Sequence, residues 1–146
     1  MKNILVATDF SKGNNKLLDH AIDQASNGDC KIWILFAAPP NPDFVGLEVG
    51  PKYIRDNVAA ELREDHRMLQ DFAANIKSKG INAEALMVQG PAHDVILYEA
   101  NKLNADLIIM GSHGHGAVFD LLVGSVSKEV LKRAERPVLL VPTEKD

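Results

Sequence analysis

The chain has 146 residues, with 16 lysines and arginines against 20 aspartates and glutamates, a formal net charge of -4. That length supports one domain burying roughly two thirds of its unfolded surface, and 46% hydrophobic with 25% charged residues excludes a disordered or fibrous chain. The acidic balance excludes a general attraction for nucleic acid or anionic lipid, no run reaches the about 18 apolar residues of a membrane span, and the single Cys30 excludes an internal disulfide or a cysteine-built metal cage.

Met1 to Asn3 run straight into Ile4-Leu5-Val6 without an apolar leader, so a cytoplasmic protein is expected. Ile4 to Ala7 read as a first strand. Leu17, Leu18, Ala21, Ile22 and Ala25 then share one helical face and stop before Gly28. Ile32 to Phe36 form a second strand, followed by a loop from Pro39 to Pro51 rich in proline and glycine. A long helix is expected from about Tyr53 to Lys79, its stripe carried by Ile54, Val58, Leu62, Leu69, Phe72, Ala73 and Ile76, with Gly80 ending it. Asn82 to Val88 read as a third strand. Pro91 suits the first position of a helix that continues through Val95, Ile96, Leu97 and Ala100.

Leu107 to Met110 form a fourth strand, and directly behind it comes a glycine-rich segment with Gly111, Gly114, Gly124 and Ser125. A last helix is expected from Ser125 to about Glu135, with Val126, Val130, Leu131 and Ala134 inward and Lys132, Arg133 and Arg136 at its negative end. Val138 to Val141 close the series. Strands separated by helices must pair mostly in parallel, so the fold class expected is α/β: a three-layer, doubly wound, mostly parallel five-stranded sheet with helices on both faces.

Ligands of such sheets bind beyond the carboxyl ends of the strands, where the strand order reverses. A buried strand that runs through glycines into a helix start offers unpartnered amides and positive partial charge to an anion. Two loops stand out, one at Ala7-Thr8-Asp9 and one from Gly111 to Gly124. If the first and fourth strands are neighbours, base and phosphate lie across one crevice.

Four segments, Ala7-Thr8-Asp9-Phe10-Ser11, Val88-Gln89-Gly90-Pro91-Ala92, Met110-Gly111-Ser112-His113-Gly114 and Gly124-Ser125-Val126-Ser127, together resemble the universal stress protein family over almost the whole chain. The glycine loop follows that family's G-x2-G-x9-G-[S/T] pattern at every specified position, which in the family accompanies ATP binding. The resemblance implies an adenine nucleotide, with Gly111, Gly114, Gly124 and Ser125 around the triphosphate and Met110, His113 and Val126 beside it. It implies Thr8 and Asp9 facing the nucleoside or its phosphate-bound Mg2+, and Ala38 and Val88 bordering adenine. Two departures are Ala7, where relatives often carry proline or valine, and the spacer containing Gly116, whose one potentially cationic group is His115 where relatives usually have basic residues.

Plainer roles compete. Gly111 can simply turn the chain, Gly124-Ser125 can start a helix with a hydroxyl cap, and Asp9 can cap the first helix in competition with Ser11. His113 and His115 flank Gly114, but two imidazoles do not complete a zinc site. His20, His66 and His93 are expected at helix surfaces. The loop has no lysine before Lys128 and only Asp120 as a carboxylate, so it is equipped to hold a triphosphate more than to break one. The function expected is an ATP-binding, stress-response regulator whose nucleotide state alters its contact with a protein partner. The alternatives are a weak ATPase or phosphotransferase, with Ser125 or Ser127 as acceptors, and a nucleotide-free interaction module. Val138 to Val141, short and apolar at a sheet edge, together with the family resemblance, imply a homodimer through that strand.

Overall fold

In a computed structural model of the chain, the described residues are 1–10, 13–26, 28–38, 52–112 and 124–143. The Pro39 to Pro51 connection and the segment carrying His113, Gly114, His115 and Gly116 lie outside them, as do the side chains of Ile54 and Val58. The elements are β1 (Asn3–Thr8), α1 (Asn14–Ala25), β2 (Lys31–Ala38), α2 (Lys52–Lys77), β3 (Asn82–Gln89), α3 (Ala92–Lys102), β4 (Leu107–Gly111), α4 (Ser125–Arg133) and β5 (Val138–Val141).

The strands form one sheet in the order β3-β2-β1-β4-β5, with every pair parallel. The expected class holds, and β1 and β4 are indeed neighbours. Strands covered on both faces must be apolar at consecutive positions. Ile4, Leu5, Val6, Ile108 and Ile109 are all fully buried. Alternation then divides them: Ile4, Val6, Ile32, Ile34 and Ile109 pack under Leu17, Leu18 and Ala21 of α1 and Leu69, Ala73 and Ile76 of α2. Leu5, Leu35, Ile108 and Met110 face Val95, Ile96 and Ala100 of α3 and Val130 of α4.

Helix ends depart from the sequence reading in small, explicable ways. Pro91 is the residue before α3, not its first: Gly90 at φ +149° and Pro91 at ψ 131° are both non-helical, so the helix opens at Ala92. The amide of Gly90 donates to Ala38 O at 2.9 Å, and a Cβ on Gly90 would stand 2.9 Å from Val95 Cγ2, so the turn holds the helix close to β2. Gly80 ends the α2 hairpin at φ +83°, as expected of a residue in the left-handed region. α4 stops at Arg133, two residues short of Glu135, because Ala134 is extended at ψ 135°. Leu131, expected inward, is 44% exposed, since the shorter helix buries only its Ser127–Val130 side.

At the opposite edge of the molecule Asp106 ties the starts of β1 and β4 together. Its carboxylate accepts the amides of Lys2 (2.7 Å) and Asn3 (2.9 Å), and its own amide donates to Asn3 O (2.8 Å). Those backbone hydrogen bonds hold the Asp106 carboxyl below the usual carboxylate range. A carboxyl depressed on folding stabilises the native state above its unfolded pKa of about 3.9 and loses that effect as pH falls through the folded value. The stability advantage of the protein over Asp106→Asn is therefore expected to be constant above about pH 5 and to shrink below about pH 4. Urea unfolding midpoints of both proteins between pH 2.5 and 7 check this; a pH-independent difference contradicts it.

Candidate functional site

The crossovers through α1 and α2 cover one face, and those through α3 and α4 the other, so the chain reverses its winding between β1 and β4. A gap must open there at the carboxyl ends of the strands, because the two connections leave in opposite directions. It is a cavity of about 180 Å³ lined by residues of β1, β2, β4, three helices and the segment after β5.

The wall at β1 is built by a turn. Thr8, 5% exposed, accepts the amide of Phe10 on its hydroxyl oxygen at 3.2 Å and donates its proton to Asn14 Oδ1 in the first turn of α1. Phe10 takes the left-handed conformation at φ +62°, costly for a bulky residue. Its ring is held by Phe36 at 4.7 Å and Phe72 at 6.1 Å between centroids. The bend leaves Asp9 half-buried on the cavity wall, outside α1, whose preceding residue is Gly13 with no side-chain cap. The residue that starts that helix is thus Gly13, while Ser11 lies outside the described residues.

The wall at β4 is knitted by Ser112. Its amide donates to Val141 O (2.9 Å), its carbonyl accepts the amide of Gly124 (2.6 Å), and its Oγ accepts the amide of Thr143 (3.0 Å). Ser127 Oγ donates to Gly111 O at 2.6 Å, drawing the first turn of α4 against the end of β4. Gly124 precedes the helix with an extended backbone and Ser125, exposed, is its first residue, so the hydroxyl cap reading of Ser125 is replaced by a glycine start. The amide of Gly124, one of the residues expected around the triphosphate, is therefore occupied by the protein itself, as is that of Ser112. The amides of Ser125, Val126 and Ser127 have no acceptor among the described residues.

The lining is mixed: Leu35, Ala37, Ala92, Ile96 and Met110 are apolar, while Thr8, Asp9, Ser127 and Thr143 carry hydroxyls and one carboxylate. No basic side chain lines it among the described residues; positive potential comes instead from the starts of α1, α3 and α4, each of which adjoins it.

Of the residues singled out from sequence, Thr8, Asp9, Met110, Gly111 and Val126 come together on this cavity. Gly124 is buried behind it and Ser125 is exposed beside it. Ala38 is fully buried with its carbonyl spent on Gly90, and Val88 packs against the α3 and α4 side of the core, so neither is on the described lining. Ala37, paired with Val88, lines the cavity where Ala38 was expected. Leu35 and Ala37 were legible from alternation, since Leu35 pairs with Ala7 and shares its face. Ala92, Ile96 and Thr143 had no such signal.

An all-parallel, doubly wound sheet with a crevice at its switch point defines the open α/β class, whose ligands bind at that point. Within it, the chain belongs to the universal stress protein family, which it matches over residues 1–142. It is 30% identical to the universal stress protein YxiE of Bacillus subtilis, over 94% of this chain and 97% of that protein. The structure of MJ0577 from Methanocaldococcus jannaschii superposes with a TM-score of 0.82 at 25% identity, covering 99% of this chain and 98% of that one. A universal stress protein of Archaeoglobus fulgidus, solved in complex with dAMP, shares the fold with a TM-score of 0.70 at 19% identity over 97% of this chain and 98% of that one.

The Thr8 turn joins two buried polar groups, so removing one partner strands the other. Thr8→Val is expected to cost about 1–3 kcal/mol, and combining it with Asn14→Ala to cost less than the two single changes added together. Urea denaturation of the four proteins of that cycle checks both; strict additivity contradicts the coupling.

Proposed function

We propose that the protein is a cytoplasmic regulator of the stress-response type that binds ATP or a related adenine nucleotide in the crevice between β1 and β4, and that nucleotide occupancy alters its contact with a protein partner. The observation that carries this reading is a crevice at the switch point whose lining combines apolar side chains with the start of α4, where the amides of Ser125, Val126 and Ser127 have no acceptor among the described residues. Adenine has a flat apolar body and phosphate seeks amides at a helix start, so such a lining suits a nucleotide. The dAMP complex of the A. fulgidus protein, of the same fold, points the same way.

The nucleoside lies among Ala37, Ala92, Ile96 and Met110, with Ala38 and Val88 behind the base. The phosphates pass over Gly111 towards Gly124, Ser125 and Val126, and His113 and Gly114 belong to the same phosphate loop. At about 180 Å³ the described walls are smaller than the ~300 Å³ at the low end of sites that engulf a whole ligand, so they grip the nucleoside more than the triphosphate. Asp9 places a carboxylate on the lining of a site proposed for polyanions. Mg2+ keeps most of its waters and needs only one or two carboxylates besides phosphate oxygens, so Asp9 and the hydroxyl of Thr8 fit it, and the ion would neutralise charge between Asp9 and the phosphates.

A ligand that binds only the native state must stabilise it. ATP with magnesium at a hundred times its Kd is expected to raise the melting temperature by about 5–10 °C, and Val126→Pro, which fixes the first turn of α4 and removes one amide, to abolish most of that rise. Differential scanning calorimetry with and without ATP checks this, and an unchanged melting temperature at millimolar ATP overturns it.

We further infer a homodimer through Val138–Val141. Pro137 O and Val141 O face β4, so alternate backbone groups, at Val138 and Leu140, face outward from an edge strand with no neighbour on that side among the described residues. Sedimentation velocity at micromolar concentration is expected to give the mass of two chains; the mass of one contradicts this.

A further inference from the structure

Among the described residues two besides glycine take a positive φ, Phe10 at +62° and Asn104 at +51°. Asparagine tolerates the left-handed region because its short polar side chain bonds locally, whereas a phenylalanine there crowds its own carbonyl with Cβ. Glycine would make the same turn without that clash. What phenylalanine adds is a ring, which lies 4.7 Å from the ring of Phe36 in β2 and 6.1 Å from that of Phe72 in α2, tilted against both. All three rings are half-buried and pack on the part of the core that α1 and α2 cover. The three residues before Phe10, namely Ala7, Thr8 and Asp9, line the crevice. The bend is pinned at its base as well: the amide of Phe10 donates to Thr8 Oγ1 at 3.2 Å, and the Thr8 hydroxyl donates to Asn14. No described residue of α2 lines the cavity, so Phe72 bears on it through Phe10.

We propose that Phe10 is a positioning residue of the crevice: its ring, held by Phe36 and Phe72, keeps the chain in the left-handed turn and so sets the Thr8-Asp9 wall against which the nucleotide binds. This rests on the adenine-nucleotide reading of the site and adds that α2, without a described residue on the lining, influences affinity through one aromatic contact. Without the ring, an ordinary L-residue at position 10 relaxes towards negative φ and the hydrogen bond to Thr8 opens. The fraction of molecules with the wall in place then falls, and apparent affinity falls with that fraction.

Phe10→Ala and Phe10→Gly remove the same ring, but only alanine still resists the left-handed turn. Calorimetric titration of the whole chain with ATP and magnesium is expected to give a Kd about fivefold higher for Phe10→Ala than for Phe10→Gly, an order that lost core packing alone does not produce. Phe72→Leu keeps an apolar side chain on α2 and loses the ring contact; it should weaken ATP about threefold and speed hydrogen exchange of the Phe10 amide by a similar factor even without ligand. Should a position-10 variant fail to fold, the two measurements on Phe72→Leu decide. Equal affinity of the two position-10 variants, or tighter binding by the alanine one, overturns the role of the turn, and unchanged affinity or exchange in Phe72→Leu overturns the anchoring by α2. If the unaltered protein binds no ATP, the nucleotide reading fails and takes this role with it; if it binds ATP and all the variants bind alike, this role alone fails.

Discussion

The parallel pairing of β1 with β4 is the constraint on which the remaining structure depends. Ile4, Leu5 and Val6 lie in register with Leu107, Ile108 and Ile109, and five of these six side chains are fully buried. Neither strand can shift by one residue without exchanging the side chains that face α1 and α2 for those that face α3 and α4. Because β2 and β3 lie on one side of β1 and β4 and β5 follow on the other, this pair is also where the strand order reverses direction. The crevice is thus a consequence of the strand order before any side chain in it is considered, and the residues at its floor are rigid because they continue the most buried strands.

The same topology accounts for the electrostatics. In a parallel sheet every strand delivers the next helix start to the same edge, so α1, α3 and α4 begin around one opening. Each start contributes about 0.3–1 kcal/mol towards a nearby anion, enough to favour phosphate without a lysine or arginine on the described lining. Half-buried Asp9 works against this.

The sheet was legible in the sequence because its strands are apolar on consecutive positions and each is bounded by glycine, proline or a helical period; Ile4 to Ala7 and Leu107 to Met110 could hardly be read otherwise. Helix ends were less legible, since Gly90, Pro91 and Ala134 each take a conformation decided by contacts across the sheet. The crevice was legible where a motif or strand alternation marks it. Thr8, Asp9, Ala92, Met110, Gly111 and Val126 belong to such motifs and Leu35 and Ala37 follow the alternation of β2, whereas Ile96 reaches the cavity through helix rotation, and Leu131 was misplaced because α4 turns Ser127 and Val130 inward instead. Gly13 drew no reading from the sequence: what it lies against is Thr143, 130 residues away, and no local pattern reveals that.

Ser112 shows how the glycine loop divides its labour. Gly124 donates to the carbonyl of Ser112, so the two ends of the segment 113–123 are joined before any ligand is bound. Joining the ends of a chain of that length removes closure entropy that a ligand would otherwise have to offset, at the rate of about (3/2)RT ln n. The amides of Ser112 and Gly124 are thereby engaged within the protein, and Ser127 draws the first turn of α4 against Gly111, where the amides of Ser125, Val126 and Ser127 have no acceptor among the described residues.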